Sequence, residues 1–124
     1  YTLFSVRFRT AHGLDLTMPP LNADKDRWTD RTDYAACQAL ADGAREAGLN
    51  ALKYASARMA TGVNLALLTC AAFVSRHPEE RQTWRMHLGP HGARALCDFP
   101  EARLEFNREA FAADPRIAAF EWER

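Results

Sequence analysis

Residues 33–67 read Asp33-Tyr34-Ala35-Ala36-Cys37-Gln38-Ala39-Leu40-Ala41-Asp42-Gly43-Ala44-Arg45-Glu46-Ala47-Gly48-Leu49-Asn50-Ala51-Leu52-Lys53-Tyr54-Ala55-Ser56-Ala57-Arg58-Met59-Ala60-Thr61-Gly62-Val63-Asn64-Leu65-Ala66-Leu67. The first part is helical in pattern from Tyr34 to Ala47. Cys37, Leu40, Ala41, Ala44 and Ala47 recur at steps of three and four and form one face of small residues. Asp42, Arg45 and Glu46 point away from it. Thr32 or Asp33 supplies an oxygen to cap the free amides of the first turn. Gly48 supplies the stop, because glycine tolerates the left-handed backbone that ends helices. Leu49 to Ala55 then predicts a strand, and the small helical face predicts close packing against a sheet. Ser56 to Asn64, with Gly62, reads as turn-rich.

Away from this core the chain reads as short strands. In Leu3 to Arg9, Phe4, Val6 and Phe8 alternate with Ser5, Arg7 and Arg9, the period of a strand with one wet side. Gly13 suggests a bend, and Met18-Pro19-Pro20 ends any regular element. Residues 21–31 are polar and predict a loop, anchored by Trp28. Asn22, Asp24 and Asp26 lack the glycine and terminal glutamate of a calcium-binding EF-hand loop. Leu65 to Val74 is apolar and continuous apart from Thr69 and Cys70, and predicts a strand through Leu68, with a short helix as the alternative. Arg76 to Gln82 predicts a loop or single turn. Thr83 to Leu88 alternates and predicts a strand ended by Gly89-Pro90. Arg94 to Phe99 and Ala102 to Phe106 are further strand candidates, and Ile117 to Trp122 is apolar enough to dock on a core. The expected class is α+β, a mixed sheet with one principal helix and five or six strands.

Composition narrows the function. The 124 residues suit one domain. Lys+Arg and Asp+Glu number 16 each, for a formal net charge of zero, which argues against a broad nucleic-acid-binding surface. No apolar run is long enough to span a membrane. The three cysteines, Cys37, Cys70 and Cys97, are widely spaced with no CxxC pair. They predict buried, reduced thiols in a cytoplasmic protein and no zinc site. His12, His77, His87 and His91 are scattered, and His87 and His91 are separated by the Gly89-Pro90 turn. No metal site is expected from them. There is no glycine-rich phosphate loop, and Ser5, Ser56 and Ser75 lack the Gly-x-Ser-x-Gly elbow of a hydrolase. Glu79-Glu80, Glu121 with Glu123, and Glu105 with Glu109 read as solvated charges rather than a catalytic pair.

The Tyr54-x-Ser56-x-Arg58 run is the unusual part. If the extended geometry persists, period two projects all three side chains to the same side. A phenol that stacks, a hydroxyl that donates and a guanidinium matched to phosphate suit a planar, anionic ligand. The alternative reading of the same residues is an exposed serine turn and a surface arginine paired to a carboxylate.

Over Asp33-Tyr34, the helix through Ala44-Arg45-Glu46-Ala47-Gly48, the run Leu49 to Arg58, and Gly62-Val63-Asn64-Leu65-Ala66-Leu67, the sequence resembles the later part of a RES domain. The resemblance implies an ADP-ribosyltransferase-like fold. It implies a toxin of a bacterial toxin–antitoxin pair that degrades NAD at the nicotinamide bond, by phosphorolysis or hydrolysis, with ADP-ribose transfer also known in the family. NAD is then the substrate and no metal is required. The implied partner is a cognate antitoxin of the Xre/ParS kind, with no direct nucleic-acid or membrane contact. The family's serine falls on Ser56, implying NAD contact and a catalytic role. Arg58 implies phosphate or ribose support. Asn64 implies a turn-fixing role beside the nucleotide, and Tyr54 implies either pocket wall or core.

The family's Gly-Arg-Phe-Asn-like stretch, with its catalytic Arg and Glu, is not matched by Arg7, Arg9, Asp24 or Asp26. Residues 1–124 are therefore expected to be the carboxy-terminal portion of a RES-like domain. The front was cut away, sits on another chain, or was lost in an inactive remnant. The chain alone is expected to release little nicotinamide from NAD. The competing class is a non-enzymatic binding module that keeps the fold and a partner surface.

Overall fold

The computed structural model describes residues 1–119. Its seven strands are β1 (Thr2–Phe4), β2 (Gly13–Asp15), β3 (Ala51–Ala55), β4 (Val63–Leu67), β5 (Arg81–Gly89), β6 (Gly92–Cys97) and β7 (Ala102–Asn107). The helices are α1 (Lys25–Trp28), α2 (Ala35–Glu46) and α3 (Pro115–Ala118), with short 3-10 turns at Leu21–Asp24, Cys70–Ala72 and Arg108–Phe111. The class is α+β with few helices, as expected. The chain divides into two units: residues 7–76, and residues 1–6 together with 77 onward.

The unit of residues 7–76 carries a three-stranded sheet in the order β2-β3-β4. β2 runs parallel to β3 with Leu14 beside Leu52, and β3 pairs antiparallel with β4, placing Tyr54 beside Asn64 and Leu52 beside Ala66. α2 lies in the crossover that a parallel β2–β3 pair requires. Gly48, at φ 72°, closes α2 as its position predicts. Asp33 Oδ1 accepts from the Ala35 amide at 2.9 Å, at the start of α2. The core of this unit is Leu16, Ala44, Ala51, Leu52 and Ala72.

The other unit is an antiparallel sheet in the order β1-β5-β6-β7. Ala93, Ala95 and Cys97 on β6 are buried at its centre. Register places Met86 and Leu104 on either side of Ala95, and Leu88 and Phe106 on either side of Ala93. That face is therefore apolar. On the opposite face His87, Arg94 and Glu105 sit in a row, with Arg94 Nε 2.9 Å from Glu105.

Several sequence expectations are corrected. The strand expected over residues 3–9 stops at Phe4, because the backbone changes partner. Ser5 exchanges hydrogen bonds with Glu79 and Glu80, whereas Arg7 and Arg9 bond to Val74 and Ala72, with a lone bridge between Phe8 and Phe73. Gly13 opens β2 rather than making a bend. The polar stretch 21–31 holds a 3-10 turn and one turn of helix. β4 begins at Val63, inside what reads as turn, and ends at Leu67, one residue short of the expected Leu68, and Cys70–Ala72 forms a 3-10 turn. β5 begins at Arg81, within the expected loop. Of the thiols only Cys97 is buried; Cys37 is half-buried and Cys70 exposed. Ala47 lies just past α2 and is exposed. Ile117 and Ala118 sit on α3, Ile117 at 36% exposure, and residues 120–122 of the expected apolar tail, with Glu121 and Glu123, lie outside the described residues.

One ion pair ties β2 to β3 with a measurable signature. Lys53 Nζ lies 2.9 Å from Asp15 Oδ2, and Thr17 donates both its hydroxyl and its amide to Asp15 Oδ1. The Thr17 hydroxyl first, then Lys53, holds the Asp15 carboxyl at about 2, below its ordinary 3.8. A depressed carboxylate stabilises the fold fully above its unfolded pKa and loses that contribution as pH falls through the folded one. Asp15→Asn is therefore expected to melt below the parent at neutral pH. The gap should narrow from about pH 4 downward and close near pH 2. Melting curves across that range check this, and a gap that does not change with pH would contradict it.

Candidate functional site

The small residues of α2 do not close on the sheet along their whole length. Cys37, Leu40 and Ala41 border a cavity of about 420 Å³. Its sheet side is one face of β3 and β4: Leu52 and Tyr54 alternate on β3, and their cross-strand partners Ala66 and Asn64 stand beside them. Leu16, just past β2, completes this apolar floor.

The rim is polar and comes from two loops. β3 ends at Ala55, so Ser56 and Arg58 do not continue the alternation. A turn delivers them instead. The Ser56 amide donates to the Gly62 carbonyl at 2.8 Å, and the Gly62 amide donates to the Met59 carbonyl at 2.9 Å. Ser56 Oγ accepts from the amides of Arg58 and Met59, both at 3.2 Å. Those bonds use oxygen lone pairs, so the hydroxyl hydrogen is what Ser56 offers a ligand. Gly62 belongs at this point of the turn because a Cβ there would lie 2.9 Å from that of Met59 and 3.0 Å from that of Ser56.

The second loop precedes α2. Arg31 Nε donates to the Ala57 carbonyl at 2.9 Å and ties the two loops together. Asp30 Oδ1 accepts from the amides of Thr32 and Asp33, each at 2.8 Å, and from the Thr32 hydroxyl. These bonds, the Asp33 amide foremost, hold its carboxyl below the ordinary range and keep it ionised. Asp30, Trp28 and Tyr34 all line the cavity.

Tyr54, Ser56, Arg58 and Asn64 thus lie around one cavity. The route differs from strict alternation, and Asn64 is a strand residue facing Tyr54, not a turn-fixing one. Sequence reasoning missed Asp30 and Tyr34 as wall residues and took Trp28 only as an anchor. The indole does anchor, donating Nε1 to the Leu21 carbonyl at 3.2 Å. Elsewhere, His87 and His91 line a separate open cavity of about 390 Å³ at the β5–β6 hairpin, with Arg94 and Glu105. Among the described residues no helix is long and apolar enough to cross a membrane.

The cavity offers an apolar floor with a cation, a carboxylate and a hydroxyl in its lining, a composition suited to a nucleotide. Among curated proteins none matches the chain. The RES domain model matches residues 1–89, extending the likeness over residues 33–67 in both directions and covering 89 of the 124 residues. With every element of this cavity inside the matched stretch, the chain belongs to the RES domain family.

Proposed function

We propose that this protein is an NAD-degrading toxin of a bacterial type II toxin–antitoxin pair, acting in the cytoplasm and held in check by an Xre/ParS-like antitoxin. The observation that carries the reading is the meeting of Tyr54, Ser56, Arg58 and Asn64 around one cavity in a RES-family chain. NAD is the substrate. The bond between the ribose anomeric carbon and the nicotinamide nitrogen breaks, and its electron pair stays with the ring nitrogen, so nicotinamide leaves neutral. Water or inorganic phosphate adds to the anomeric carbon and gives up a proton, forming ADP-ribose or its 1-phosphate.

In this scheme Arg58 grips the pyrophosphate, which fixes the pose and spares the entropy of aligning the reacting atoms. Ser56 donates its hydroxyl hydrogen to a ribose or phosphate oxygen. Tyr54 stacks on the nucleotide from the sheet side, and Asn64 offers an amide beside it.

Calorimetric titration with NAD tests the reading. Saturable binding is expected, weakened about fivefold in Ser56→Ala, as for loss of one neutral hydrogen bond. Absence of saturable binding in the parent chain at millimolar NAD would overturn it.

A second reading, a protein-binding module without catalysis, is favoured by the apolar face of the four-stranded sheet. Met86, Leu88, Leu104 and Phe106 are 50, 61, 46 and 45% exposed there, and contiguous exposed apolar surface marks interaction sites. Tight partner binding with no affinity for NAD would establish it over the first.

A further inference from the structure

We propose that the β5–β6 hairpin carries a second small-molecule site, on the polar face of the four-stranded sheet, which takes a phosphate monoester by its phosphate group. Alternation along β5 turns His87 and Gly89 to this face. Register sets Arg94 beside His87 and Gly92 beside Gly89, with Glu105 and Asn107 next to them on β7. One row is therefore His87, Arg94 and Glu105, and the neighbouring row holds two glycines where side chains would stand. Over them lies the open cavity of about 390 Å³, bounded at the turn by Pro90 and His91. Glycine weakens a strand and marks places where a ligand can approach the backbone. Gly92 is required by its own backbone angle. Gly89 is not: its φ lies outside the left-handed region, and beyond its chain neighbours a Cβ there would meet only His87 Nε2, at 3.6 Å, an ordinary contact. The fold would accept a side chain at this position, and the cavity would be filled by it. The same contact places His87 Nε2 over the cavity floor.

The walls supply donors and a surplus of positive charge. Arg94 and Arg103 both pair with Glu105 Oε1. The Arg103 hydrogen bond foremost, with the charge of Arg94 adding to it, holds the Glu105 carboxyl below its ordinary range and keeps it ionised. Two guanidinium groups against one carboxylate leave one positive charge over. Arg85, two residues before His87 on the same strand, is matched by Asp98. Arg94 engages Glu105 through Nε, at 2.9 Å, which leaves its terminal nitrogens to a ligand, and a guanidinium suits phosphate in charge and geometry. Asn107 Oδ1 accepts from the Ala110 amide at 3.1 Å, so its amide hydrogens are what it offers. Neither His87 nor His91 has a side-chain partner among the described residues. The His91 carbonyl accepts from the Arg108 amide at 3.1 Å, which ties the turn to the end of β7. The cavity volume is that of a small-molecule site, more than a bare phosphate ion fills, so the organic part of an ester has room. Past Gly89 these residues lie beyond the stretch that the RES model matches.

Titration of the ¹⁵N-labelled full chain with glycerol 3-phosphate tests the site. Saturable shifts are expected at the Gly89, His91, Gly92 and Arg94 amides, fitting one dissociation constant of about 1 mM. Glycerol should shift none of them, and inorganic phosphate should bind about threefold more weakly than the ester. Arg94→Gln is expected to weaken binding about tenfold or more. Gly89→Val should weaken it by at least about tenfold while its denaturation midpoint stays at or above the parent's, since valine suits a strand and glycine does not. Inorganic phosphate binding as tightly as the ester would overturn the monoester as ligand. No saturable shift at the hairpin up to about 20 mM would overturn the site. So would shifts confined to the Ser56–Met59 turn, or affinity unchanged in both variants.

Discussion

Replacing Arg58 with glutamate is expected to weaken NAD binding by about 100-fold or more. A hydrogen bond to a charged group contributes about 1.5–3 kcal/mol, roughly 10- to 100-fold in affinity. Reversal adds repulsion between the new carboxylate and the pyrophosphate, and Asp30 already stands in the same wall. Arg58 is exposed and lies in the turn beyond β3, and the circular dichroism spectrum of the variant checks that the fold is kept. The effect should shrink at high salt, because screening shortens the reach of exposed charges. Calorimetric titrations of parent and variant at two ionic strengths measure both quantities. Binding within threefold of the parent would remove Arg58 from the site.

The largest effect on stability is expected from Gly92→Ala. Gly92 has a φ of 142°, which side-chain-bearing residues rarely adopt. Space forbids the change as firmly as the backbone angle does: a Cβ would lie 2.0 Å from the Phe106 carbonyl oxygen and 2.9 Å from Asn107 Cα. Both atoms are backbone of β7, so no side chain can swing aside. Gly92 pairs with Gly89 and with Asn107 at the start of β6, an inner strand of its sheet. The added carbon must therefore open the β6–β7 ladder. A loss of about 3 kcal/mol or more follows, combining backbone strain with broken pairing. Denaturant titration measures it, and a loss under about 0.5 kcal/mol, the range of an ordinary surface change, would show that the ladder yields.

Much of the fold is legible in the sequence where local signals agree. The helix from Tyr34 onward, its stop at Gly48 and the strand through Ala55 follow from periodicity and one glycine. β7 falls on the candidate Ala102–Phe106, whereas β6 runs from Gly92 to Cys97, two residues ahead of the candidate Arg94–Phe99. Legibility fails where the partner, rather than the pattern, decides. Phe4, Val6 and Phe8 alternate as one strand would, yet the backbone pairs first with Glu79 and Glu80 and then with Ala72 and Val74. β2 is three residues long and exists because Gly13, Leu14 and Asp15 find Ala51, Leu52 and Lys53.

The site divides in the same way. Tyr54, Ser56, Arg58 and Asn64 are readable as neighbours because they flank one strand end. Trp28, Asp30 and Tyr34 are not, because they come from a polar segment without periodicity. That segment is tied to the Ser56–Arg58 turn by a guanidinium–carbonyl bond from Arg31 to Ala57, 26 residues away. A bond of that separation leaves no trace in local spacing.

The most direct test is a map of backbone amide and indole NMR shifts in the ¹⁵N-labelled chain during titration with NAD. The expected result is saturable shifts confined to the Trp28 indole, the Asp30–Tyr34 loop and the Ser56–Met59 amides, all fitting one dissociation constant. Shifts gathered instead on the β5–β7 sheet, or none at saturating nucleotide, would contradict a nucleotide site between α2 and the three-stranded sheet.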